Sequence, residues 1–106
     1  MPKYLVEASY TPEGLRGLQK EGAVARVDNA AKVAAALGGK CDVFHWSFGN
    51  NDVVAIFDLP SSADAAALAL AVSASGLVHA KTTPLLTAPE CDLALKKSVA
   101  FRPPGK

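Results

Sequence analysis

Five apolar residues in succession, Val53-Val54-Ala55-Ile56-Phe57, sit inside a segment of strand length. A strand turns successive side chains to opposite faces, so an unbroken apolar run needs cover on both. A chain of 106 residues with two main helices can cover only one side of a four-stranded sheet. A second copy of the chain is the simplest cover for the other. The run constrains fold and assembly together and specifies no reaction.

Around it, the periodicity gives the order of elements. Lys3 to Tyr10 alternates, with Tyr4, Val6, Ala8 and Tyr10 on one face and Lys3, Leu5, Glu7 and Ser9 on the other, which predicts a first strand. Thr11-Pro12-Glu13 reads as a helix start, and Gly22 should bend that helix before Gly38-Gly39 ends it. Lys40 to Phe48 and Asp52 to Leu59 predict strands two and three, joined by the Gly49-Asn50-Asn51 turn. After Pro60, Ser61 or Ser62 should cap a helix running to about Ser75. Leu77 to Thr83 predicts strand four, with Pro84 closing it. Thr87-Ala88-Pro89-Glu90 opens a short helix reaching about Lys97, followed by an extended tail.

The order β-α-β-β-α-β plus a terminal helix predicts a single α+β domain over residues 1–106, with a ferredoxin-like antiparallel sheet. Strands one and three are then central and both main helices lie on one face. The large apolar side chains left on the other face represent roughly 6–12 kcal/mol of unused burial, so a homodimer is expected. The helix around Ala65-Ala66-Ala67-Leu68-Ala69-Leu70-Ala71-Val72 is apolar nearly all round. Its outer side should be covered by the terminal helix or by another subunit.

Composition narrows the partners. Eleven basic and ten acidic residues leave a net charge of +1 without any basic stripe, so no nucleic-acid partner is expected. No segment is apolar over the roughly 20 residues that span a bilayer, and no signal-peptide pattern opens the chain. Cys41 and Cys91 lack the spacing of a zinc site or redox pair. They read as reduced, partly buried thiols of a cytoplasmic protein.

Chemistry-bearing residues concentrate on the strands. Glu7, Ser9, His45, His79 and Lys81, if their faces coincide, would ring an apolar floor on the non-helical face of the sheet, and Trp46 and Phe57 could line the same pocket. An imidazole can carry a proton near neutral pH, so His45 or His79 could serve a reaction. Equally, both could lie at strand edges or in a dimer seam. Neither histidine has a second ligand at a diagnostic spacing, and no cofactor or metal is expected.

Several segments together resemble a small bacterial family, the GYD domain. They are Met1-Pro2-Lys3-Tyr4-Leu5-Val6, Tyr10-Thr11-Pro12-Glu13-Gly14-Leu15, Phe48-Gly49-Asn50-Asn51-Asp52-Val53-Val54 and Lys81-Thr82-Thr83-Pro84-Leu85-Leu86-Thr87. Of the family's Gly-x-Tyr-Asp element, Gly49 and Asp52 are present and Asn51 stands at the tyrosine position. The resemblance implies a dimeric α/β barrel. Related barrels include cofactor-independent monooxygenases, isomerases, haem enzymes and regulatory ligand-binding domains, so the fold selects no function. The expectation is a binding module or oligomeric scaffold for a small apolar or aromatic ligand held between sheet and helices. The alternatives are a cofactor-independent monooxygenase or isomerase using His45 or His79, and a purely structural oligomer.

Overall fold

A computed structural model describes all 106 residues, in the order β1 (Lys3–Tyr10), α1 (Pro12–Glu21), α2 (Ala23–Ala36), β2 (Lys40–Trp46), β3 (Val53–Asp58), α3 (Ser62–Ala74), β4 (Val78–Leu85) and α4 (Ala88–Leu95). The four strands form one antiparallel sheet in the order β2-β3-β1-β4. This is the ferredoxin-like α+β arrangement, with β1 and β3 central. No helix is long and apolar enough to cross a membrane.

Local chemistry sets most boundaries. The Thr11 hydroxyl accepts from Gly14 N at 3.1 Å and opens α1, and Pro12 fits its first position. Thr11 N also donates to the Leu77 carbonyl at 2.9 Å, which ties the helix start to the entrance of β4. A Cβ at Gly14 would run into that same carbonyl, so only glycine allows this approach. Gly22, at φ 95°, breaks the helical path into α1 and α2, and Ser61 caps α3.

The sheet has two distinct faces. Tyr4, Ala8, Val53, Ala55 and Phe57 point toward the helices and form the core with Ala34, Leu59 and Ala65. A bulge between Cys41 and Val43 shifts the register of β2 by one, so Cys41, Phe44 and Trp46 all share this side. On the opposite face Leu5, Val43, Val54 and Ile56 are half-buried even in the single chain. Neighbouring side chains of the same sheet already shelter them. The unused burial on this face is thus smaller than the sequence suggests.

Larger apolar exposure lies elsewhere. Leu86, Leu93, Leu95, Val99 and Phe101 are 63–77% exposed, and no residue of α4 is buried. The helix is well formed, because Thr87 and Glu90 close a complete capping box. It has no substantial packing partner within the chain. The expected cover of α3 by the terminal helix is therefore not found, and Leu70 on α3 stays 71% exposed. The projecting segment gives a radius of gyration of 16.8 Å, against about 13 Å for a compact domain of this length. Cys91, expected to be partly buried, is exposed for the same reason, while Cys41 is half-buried.

Strand four runs through Pro84, two residues past the expected end. β4 is an edge strand, where a missing N–H costs no ladder bond if it faces outward. Strand two stops at Trp46, short of Phe48, and α4 ends at Leu95, short of Lys97.

Candidate functional site

The helices leave a gap between themselves above the middle of the sheet. α2 packs on β2 and α3 on β4, and the two helices are not packed against each other. Between them a space remains above the central strands, whose helix-facing residues are nonetheless buried. Alanines widen the gap: Ala8, Ala55 and Ala80 form part of the floor, and Ala30 and Ala71 part of the walls. Side chains this short cannot fill the space that separates helix from sheet. The result is a cleft of about 300 Å³, with Val6 and Phe57 also in its floor and Val33, Leu68 and Val72 in its walls. A cavity of about 150 Å³ holds one benzene ring, so this one suits two rings or a medium-length chain. Fourteen of its seventeen lining residues are apolar.

The polar lining residues are Arg26 and Asn29 on α2 and Ser75 at the end of α3, with the phenol of Tyr10 beside them. The Tyr10 ring stacks on Trp46, 5.8 Å between centroids. Burial pushes the Tyr10 phenol above its ordinary range, and the Arg26 guanidinium beside it pulls the other way. Phe44 meets Trp46 edge-on at 5.6 Å, which completes an aromatic flank.

Of the seven residues singled out by the sequence, the sheet separates two from five. Phe57 lines the cleft, and Trp46 supports it through Tyr10. Glu7, Ser9, His45, His79 and Lys81 lie on the other face, so the seven do not line one pocket. There they share two cross-strand rows. His45, Val54, Glu7 and Lys81 follow one another across the strands, and Ser9 pairs with His79. His45 and Glu7 are two strands apart, about 9–10 Å between backbones, with Val54 between them. Asn51 instead reaches back from the turn: its amide donates to Glu7 and accepts from Ser9, both at 3.4 Å. Asp52 accepts from Tyr10 N at 2.8 Å, which fastens the hairpin to β1. No three His, Cys, Asp or Glu side chains converge where a metal ion could sit.

At the far end of the open face Lys3 donates to both Asp42 (2.5 Å) and Asp58 (2.9 Å), with Lys40 alongside. The hydrogen bond from Lys3 holds the Asp42 carboxyl below the usual range and, reciprocally, raises the Lys3 ammonium. The cluster carries both signs and ties β1, β2 and β3 together.

The cleft's polar lining, Arg26 and Asn29, and its alanine floor are what reading the strands alone overlooks. Arg26, Asn29, Ala30 and Val33 do fall at i, i+3, i+4 and i+7, one stripe of a helix. The facing alanines were the other available signal.

The fold and the cleft define a small ferredoxin-like α+β domain with an apolar recess between its sheet and its helices. The chain belongs to the GYD domain family, whose profile matches residues 4–95. Comparison with curated proteins finds no match, and comparison with solved structures finds none either.

Proposed function

We propose that this GYD domain is a small-molecule binding module that holds an apolar or aromatic ligand between sheet and helices. The cleft carries this reading: about 300 Å³ of mostly apolar space sits at the lower end of the range for ligand sites, with a few polar groups at its edge. The oxygenase or isomerase reading needs a histidine facing the bound ligand, and neither His45 nor His79 faces this cleft, both lying on the opposite side of the sheet. Binding without turnover is thus the better-supported reading.

The module works as a homodimer. The exposed apolar C-terminal segment supports this, as does an open sheet face whose charges are mixed in sign: Lys3, Lys40, Asp42 and Asp58 at one end, Glu7 and Lys81 nearer the other. A face that carries both signs is compatible with a second copy turned about a two-fold axis. The free thiols Cys41 and Cys91 suit a reducing, cytoplasmic setting.

Titration with the neutral fluorophore N-phenyl-1-naphthylamine tests the binding reading. Saturable enhancement with one site per chain and a micromolar Kd is expected. A linear, unsaturated response would leave the cleft as a packing gap.

A further inference from the structure

The cleft is apolar in its depth and carries one formal charge among its lining residues, that of Arg26. The stripe of α2 that forms its wall runs from Arg26 and Asn29 inward to Ala30 and Val33. Arg26 is held at this edge by Glu21, 3.3 Å from a terminal guanidinium nitrogen. That contact engages one of five N–H donors, and both side chains remain partly open to solvent, 37% and 46%. Ser75 is already engaged, donating to the Val72 carbonyl at 2.7 Å and accepting from Leu77 N at 3.2 Å. The donors left for a ligand head group are therefore the guanidinium, the exposed Asn29 amide and the Tyr10 phenol beside them.

We infer that the cleft takes an amphipathic anion, an apolar chain or ring system whose carboxylate is held by Arg26 and Asn29. This rests on the binding reading above and specifies its ligand class. A guanidinium offers a planar pair of donors that fits a carboxylate, and charge-assisted bonds are about twice as strong as neutral ones. Glu21 acts as the resident carboxylate in the absence of ligand, and an incoming head group shares or displaces it. Beneath that head, the alanine floor accepts the apolar body without rearranging the sheet.

The test compares decanoate with decanol, which share a chain and differ in the head group, as competitors of the neutral naphthylamine probe. Wild type should prefer decanoate by about tenfold. In Arg26→Gln that ratio should fall to about one, and in Glu21→Gln it should rise above the wild-type value. Equal affinity of wild type for both, or a preference unmoved by Arg26→Gln, overturns the inference while leaving the binding reading intact. Failure of both compounds to compete while the probe itself binds also overturns it. If neither compound nor probe binds, the binding reading falls with it. Circular dichroism of each variant confirms that the exchanged surface side chain has not unfolded the domain.

Discussion

Replacing Ala80 with Phe should lower the affinity for the neutral naphthylamine probe at least tenfold while leaving the domain folded. Ala80 lies on β4 and faces the helices, opposite Ala8 across the strand pair. A phenyl ring at this position projects into the recess and occupies the volume the probe would take. In a filled core the same change would force side chains off their rotamers, costing about 1–3 kcal/mol. Here the ring enters about 300 Å³ of open space, and its own burial stabilises by roughly 1.5–3 kcal/mol. The melting temperature should therefore hold or rise. His79, one residue away, faces the other side of the sheet, and His79→Ala should leave probe affinity within twofold of wild type. Loss of stability without loss of binding in Ala80→Phe would mean that the probe sits elsewhere.

The second large effect concerns assembly. Sedimentation at micromolar concentration should give twice the chain mass of 10.9 kDa, and Leu93→Asp with Leu95→Asp and Phe101→Asp should return it to a monomer. Each of these side chains is at least 63% exposed in the single chain. Burying a side chain of this kind is worth about 1.5–3 kcal/mol, and a symmetric dimer buries each position twice. That sum exceeds the low end of the cost of association, about 4–15 kcal/mol. The substitutions touch no buried residue, so the monomer they produce should keep its sheet. A wild-type protein that sediments as a monomer would leave the C-terminal segment without the role assigned to it.

What the sequence reveals here is mostly local. Thr11-Pro12, Gly22 and the Thr87–Glu90 box fix helix starts through contacts within a few residues, and each is found where the chain announces it. Pro84 misleads because its meaning depends on whether its strand is central or at an edge, and that is a property of the whole sheet. Alternation already turns His45 away from Trp46. Only the pairing register shows that Trp46 and Phe57 share the helical face, while Glu7, Ser9, His79 and Lys81 join His45. The cleft is less legible still. It depends on how far α2 and α3 sit apart, and alanines at 8, 30, 55, 71 and 80 come together only when three strands and two helices are in place. The apolar run that opened the sequence did mark a two-sided strand. Its outer residues, Val54 and Ile56, are half-sheltered by their own sheet, and the C-terminal segment carries the greater exposure.

Amide chemical shifts recorded during titration with the neutral naphthylamine probe test the placement of the binding site most directly. The expected perturbations gather at Val6, Ala30, Phe57, Leu68 and Ala80, which surround the recess from both layers. Shifts confined to Glu7, His45 and Lys81 would place the ligand on the opposite face of the sheet and contradict the assignment.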